Sequence, residues 1–173
     1  MTKKIILGGG CFWCIEATYQ QVEGIEKVVS GYSGGKDPNP TYREVCGGET
    51  GHAEGVELTY EDSKINLEKI LEIFWKVHDP TTLNRQGHDV GSQYRSVIYY
   101  LEGEQKTIAE KSIKELSEAA TFANPIVTEV KKLDVFYKAE DYHQDYFNKH
   151  PGEGYCQVVI RPKLEKLGAY FKK

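Results

Sequence analysis

Residues 3–20 read KKIILGGGCFWCIEATYQ, and the change of pattern inside them decides the fold class. Lys3–Leu7 is a short run of the kind a buried strand makes, and three glycines end it. From Cys11 the period becomes helical, with Ile15, Tyr19 and Val22 at i, i+4 and i+7, until Gly24 stops it. A strand that feeds a helix through a glycine turn must bury both apolar faces against each other, which is the layered arrangement of an α/β protein.

The same alternation continues outward. Ile25–Tyr32 and Ala53–Tyr60 read as strands, separated by the turn-rich segment Gly31–Gly48. A loop of about 15 residues is more often functional than idle. A helix carrying Ile70, Phe74 and Val77 closes before Pro80, a polar stretch runs to Gln93, and Tyr94–Leu101 returns to strand. Residues 104–120 make an amphipathic helix with Ala109, Ile113, Leu116 and Ala120 on one face. One or two strands follow within 126–137, then a short helix over 139–148 and a strand over Gln157–Arg161. Pro162 opens a last helix, with Leu164, Leu167 and Phe171 on one side and order expected to the end of the chain. The expectation is an α+β protein: a two-layer α/β sandwich over one mixed or antiparallel sheet, in a single domain spanning 1–173.

Composition narrows the function classes. At 173 residues the chain can bury roughly 70% of its extended surface without disulfide staples. The net charge of −4, with lysines and arginines scattered, argues against a nucleic-acid or anionic-membrane surface. No stretch approaches the roughly 18 apolar residues of a membrane helix. The apolar part of the start is only Ile5-Ile6-Leu7, short of the about 7–15 residues of a signal peptide, so a cytoplasmic protein is expected. Four cysteines in such a chain are expected to be reduced, metal-binding or catalytic.

Cys11 is the first candidate. A thiol at a helix start lies among unpaired N–H groups at the positive end of the dipole, which lowers its pKa. At an unperturbed pKa only about 3% is thiolate at pH 7, so a modest shift matters. The glycine run fits a backbone that a substrate approaches closely. Glu54 is the second candidate. In AEGVELTY it shares phase with Val56, Leu58 and Tyr60, whereas Glu57 shares phase with Ala53, Gly55 and Thr59. Glu54 therefore points inward and Glu57 outward. An inward carboxyl tends to keep its proton, and two or three units of pKa turn it from an acid protonated about once in 500 molecules into a usable donor. The bland alternative is a Glu at the strand mouth, solvated or paired with Arg43 or Arg85. Tyr42 and Tyr94 stand in polar segments that could face a site.

Two other uses of the stretch stay open on the residues alone. Cys11-x-x-Cys14 with Cys46 and His52 could make a zinc set, although Phe-Trp between the cysteines suits a metal knuckle poorly. Cys11 and Cys14 could also be a redox pair, since i and i+3 in a helical turn lie within disulfide reach.

Longer motifs add to this. GCFWCIEATY, GYSGGKDPNPTYREVCGGETGHAEGVELTY, FWKVHDPTTLNRQGHDVGSQYRSVIY and AEDYHQDYFNKHPGEGYC, in that order from Ile5 to about Cys156, resemble the A-type peptide-methionine sulfoxide reductases. The resemblance implies a ferredoxin-like core and reduction of the S epimer of methionine sulfoxide, free or in proteins. No metal or other cofactor is implied. It makes Cys11 the nucleophile and Phe12 and Trp13 the walls of a pocket for the substrate methyl group. Glu54 becomes the acid that protonates the departing oxygen, which Tyr42 and Tyr94 hold. Asp89 and Tyr146 fall at supporting positions of the site. Attack would leave a sulfenic acid on Cys11, a second thiol would close a disulfide, and thioredoxin would reduce it. Cys156 falls where the family carries its first resolving cysteine. Cys14 stands where the family often has glycine, and is an alternative resolver. Cys46 is expected to be buried and inert.

Overall fold

The computed structural model describes residues 1–171; the expected order of the last two residues lies outside them. Six strands form one sheet in the order β7-β6-β1-β3-β2-β8. They are β1 (Thr2–Gly8), β2 (Ile25–Ser33), β3 (Ala53–Glu61), β6 (Val97–Tyr100), β7 (Glu129–Lys132) and β8 (Phe136–Lys138). All pairings are antiparallel except β6 with β7, so the sheet is mixed. A separate two-stranded ribbon joins β4 (Arg85–Gln86) to β5 (Asp89–Val90).

Strand alternation decides which face each residue takes. On β1, Ile5 and Leu7 join Val56, Leu58 and Tyr60 of β3 in the main core. Ile6 faces the other way, into a smaller cluster with Ala53, Val97 and Tyr99. The main core is closed by α1 (Phe12–Tyr19) and α3 (Leu67–Val77), through Phe12, Ile15 and Tyr19 and through Ile70, Phe74 and Val77. Asn66 caps α3 by accepting the Lys69 N–H at 2.9 Å. The last long helix, α4 (Gly103–Glu118), adds Ala109 to this core.

Several elements differ from the sequence expectation. The Gly31–Gly48 segment is not all loop: β2 continues to Ser33, and α2 (Tyr42–Cys46) forms behind a Thr41–Glu44 capping box. Only Val45 of α2 is buried, so Cys46 is exposed rather than enclosed. Tyr94 ends a 3₁₀ turn over Ser92–Tyr94, and the strand after it begins only at Val97. The helix expected over 139–148 is split into a 3₁₀ turn, Asp141–His143, and α5 (Tyr146–Lys149). The break falls at Asp145, whose φ of 59° leaves the helical region.

The largest correction is at the C-terminal end. Gln157–Arg161 is not a strand: Cys156–Ile160 is a π-helical turn that runs straight into α6 (Arg161–Lys166). The Val-Val-Ile run has strand propensity, but Cys156, Ile160, Leu164 and Leu167 recur at helical spacing and all four are buried. Burial of one helical stripe outweighs propensity. Pro162 falls where the π turn passes into α6.

Candidate active site

The three glycines after β1 are packed against the protein itself. A Cβ on Gly8 would lie 2.8 Å from the Glu54 carbonyl oxygen, so β1 and β3 can approach only because that side chain is missing. Gly10 takes φ +84°, which turns the chain into α1. Cys11 is the N-cap of α1, with its backbone extended (φ −66°, ψ 130°). This turn delivers the thiol to the end of β3 that carries Glu54.

Glu54 points inward, as its phase with Val56 and Leu58 requires, and is wholly buried. Its Oε1 accepts the Phe12 N–H at 3.2 Å, so the first free N–H of α1 is satisfied by this carboxyl. Its Oε2 is buried with no hydrogen-bond partner among the described residues. Burial drives its pKa up to about 8, against the Phe12 hydrogen bond, and Asp89 adds to the rise. Glu57 points out and pairs with Lys4 at 3.4 Å. Among the described residues, neither Arg43 nor Arg85 forms an ion pair with Glu54.

The acidity expected of Cys11 is reversed. Its thiol is pushed well above the ordinary value by burial, and then by the Glu54 carboxyl beside it. The Trp13 N–H at the helix start pulls the other way but is outweighed, and the Phe12 N–H is taken by Glu54. Thiol and carboxyl are thus two buried acids, and the carboxyl opposes ionisation of the thiol.

Aromatic rings surround this pair. Phe12 is fully buried, while Trp13 is half-buried and stacks on Tyr146 with centroids 3.8 Å apart and planes 6° apart. Tyr42 lies 6.2 Å from Phe12 and 6.4 Å from Trp13, stacked on both. Burial, then the Glu54 charge, raises the phenols of Tyr42 and Tyr94 above their ordinary value, so both remain hydrogen donors. The structure therefore gathers Cys11, Phe12, Trp13, Tyr42, Glu54, Tyr94, Asp89 and Tyr146 around one place.

The other cysteines are arranged differently. All four are free thiols. Cys14 and Cys156 share a second buried cluster with Ala17, Phe147, Ile160 and Leu164, apart from the cluster that holds Cys11. Among the described residues, no group of three or more His, Cys, Asp or Glu could hold a metal ion. His52 is occupied in its loop: it accepts from the Gly35 N–H at 3.0 Å and meets the Asp37 carbonyl at 2.6 Å.

Two residues of the site escaped the sequence reading. Tyr155 donates to Asp89 Oδ2 at 2.9 Å and stands 3.7 Å from Cys14 Sγ, with its ring edge-on to Trp13. His143 accepts the Trp13 indole N–H at 3.0 Å. Both lie in AEDYHQDYFNKHPGEGYC, but spacing alone could not aim them, because the αL residue Asp145 redirects the chain between them.

Comparison with known proteins supplies the family. The family model described as "Peptide methionine sulfoxide reductase" matches residues 3–173. The peptide methionine sulfoxide reductase MsrA of Leptospira borgpetersenii is 60% identical over 164 residues, covering 95% of this chain and 92% of its own. The crystal structure of Mxr1 from Saccharomyces cerevisiae in reduced form has a TM-score of 0.82 and 33% identity, over 90% of this chain and 89% of that one. Mxr1 in complex with Trx2 matches at a TM-score of 0.58 and 24% identity, over 82% and 84% of the chains, and shares the fold alone. With a family model that spans nearly the whole sequence and a relative this close, the chain belongs to the peptide methionine sulfoxide reductase family.

Proposed function

We propose that this chain reduces the S epimer of methionine sulfoxide, free and in oxidised proteins, through Cys11. The observation that carries the proposal is the buried pair of Cys11 and Glu54 under the Trp13 and Phe12 rings. A sulfoxide sulfur accepts a nucleophile only if its oxygen is protonated as it leaves. With a pKa of about 8, Glu54 is mostly protonated near neutrality and can supply that proton. Tyr42 and Tyr94 donate hydrogen bonds to the oxygen, and Asp89 and Tyr146 support the site. The methyl group lies against Trp13 and Phe12.

The step balances. Cys11 sulfur attacks the sulfoxide sulfur, Glu54 gives its proton to the oxygen, and the carboxylate takes the proton that the thiol loses. The hydroxyl then passes from the substrate sulfur to the Cys11 sulfur as the transient Cys11–substrate S–S bond breaks, so one S–O bond is lost and one is gained. The substrate sulfur gains the two electrons that Cys11 loses, leaving methionine and a Cys11 sulfenic acid. A second thiol then condenses with it, releasing water and closing a disulfide. Cys156 is our first choice for that thiol, with Gly152 and Gly154 before it to let its segment move, and Cys14 is the alternative. Thioredoxin would open the disulfide by exchange.

Three coarser features fit the same reading. The elements β1, α1, β2, β3, α3 and β6, with their strands ordered β6-β1-β3-β2, support a ferredoxin-like core. The shared main core supports a single catalytic domain. Four free cysteines, and no described helix long and apolar enough to cross a membrane, support a reducing, cytoplasmic setting.

The test is turnover of each sulfoxide epimer by the native chain and by Cys11→Ser. We expect reduction of the S epimer only, abolished by Cys11→Ser. Equal turnover of both epimers overturns the proposal.

A further inference from the structure

Gly9 lies between a glycine crowded by β3 and a glycine with positive φ, and neither reason accounts for it. Its own φ is not positive, so the hand of the turn does not call for glycine there. Space does. A Cβ on Gly9 would lie 2.7 Å from His78 Cδ2, 2.9 Å from Cγ and 3.1 Å from Nε2. Such similar distances to three successive ring atoms put that point over the face of the imidazole, not at its edge. The ring is buried and cannot swing aside, because both of its nitrogens are tied. Nδ1 is 2.6 Å from the Phe74 carbonyl oxygen, Nε2 is 2.7 Å from Ser96 Oγ, and that oxygen is 2.7 Å from Thr128 Oγ1. A carbonyl only accepts, so Nδ1 carries the proton. Burial pushes the imidazole pKa down to about 4, so the ring is neutral and Nε2 accepts from the Ser96 hydroxyl. Ser96 Oγ accepts from Thr128 in turn.

The same end of α3 also holds the next residue of the turn. The Asp79 N–H donates to Gln86 Oε1 at 2.8 Å, and the Asp79 carbonyl accepts from Gln86 Nε2 at 2.9 Å. Gln86 Cγ lies 2.8 Å from where a Cβ on Gly10 would be. From the other side, the Gly10 N–H donates to the Tyr94 carbonyl at 3.0 Å, and Ser96 stands two residues beyond Tyr94. His78 therefore touches the turn that carries Cys11 and is tied to the segment that carries Tyr94. We propose that His78 is a positioning residue: its tied imidazole is the floor on which Gly9 rests, and it fixes where the Cys11 sulfur stands beside Glu54. The proposal rests on Cys11 being the nucleophile. It makes His78 a determinant of the rate of attack rather than of substrate affinity, since a misplacement of about 1 Å costs on the order of 100-fold in rate.

The test compares Gly9→Ala, His78→Ala and the double variant with the native chain. Methionine formation is followed in a single turnover without reductant, with circular dichroism to report the fold. Gly9→Ala should slow the turnover at saturating sulfoxide about tenfold, while the half-saturating concentration changes less than about twofold. His78→Ala should slow it about as much. In the double variant the added methyl has no ring to strike. It should be no slower than His78→Ala alone, in place of the roughly hundredfold loss that two independent changes would give. The Gly9 α-proton resonances give a readout that does not need turnover. In the native chain the proton over the imidazole should be shifted upfield by the ring, and in His78→Ala it should return to the ordinary range. If His78→Ala does not fold, Gly9→Ala and the native resonance decide alone. A folded Gly9→Ala chain with the native single-turnover rate, additive losses in the double variant, or an unshifted native Gly9 resonance overturns the proposal. A native chain without any sulfoxide turnover overturns the functional reading instead, and the resonance still reports the contact.

Discussion

Glu54 binds its proton more tightly in the folded chain, at about 8, than a free carboxyl does, at about 4.5. What it lends to stability is therefore full below about pH 4.5 and is lost as pH rises through about 8. Each pH unit in that window removes about 1.4 kcal/mol, so ionising Glu54 costs on the order of 3–5 kcal/mol. Glu54→Gln cannot ionise. Its denaturation midpoint, set against the native chain, should therefore rise steadily between about pH 5 and pH 8 and then level off. A difference that stays flat across this range would contradict the buried-acid account. The inward aim of Glu54 was legible, because strand phase with Val56, Leu58 and Tyr60 leaves no other side for it. The acidity of Cys11 was not, since the sequence shows a helix start but not the carboxyl that occupies its first N–H. Nor was the exposure of Cys46, which depends on how a five-residue helix with one buried side chain lies on the surface.

At the scale of elements, the segment from Tyr155 to Lys166 tests how far local pattern reaches. Val158, Val159 and Ile160 favour strand, yet the segment is helical because its buried stripe binds it to α1 through Cys14 and Ala17. Propensity was visible in the residues, and the partner surface was not. One polar contact pins the start of this segment: the Tyr155 hydroxyl donates to Asp89 on β5. Tyr155→Phe should cost about 1 kcal/mol, the usual net value of one hydrogen bond, and loosen the segment more than the rest of the chain. Alkylation of Cys156 in the reduced protein should then run severalfold faster, while global stability falls only by that amount. An unchanged alkylation rate would show that Tyr155 does not hold the segment.

For the whole molecule, the alternation of strands and helices was readable from period alone, because each element keeps one apolar face for the common core. The strand order was not readable, since β6 meets β1, and β7 meets β6, through pairings between distant parts of the chain. The same limit governs the thiols. Cys11 and Cys14 are neighbours by sequence, but only the fold brings Cys14 and Cys156 into one cluster. Oxidising the protein with one equivalent of sulfoxide, trapping it in acid and mapping the peptides should yield a Cys11–Cys156 disulfide. A Cys11–Cys14 peptide would transfer the resolving role to Cys14. In the resting chain the Cys156 side chain is wholly enclosed within a helical turn. A resolving thiol stored that way makes the enzyme its own clock. On the proposal that Cys156 resolves, each catalytic round would wait for a few residues to unwind and would end with their rewinding, so the stability of one short helix would set the pace of repair.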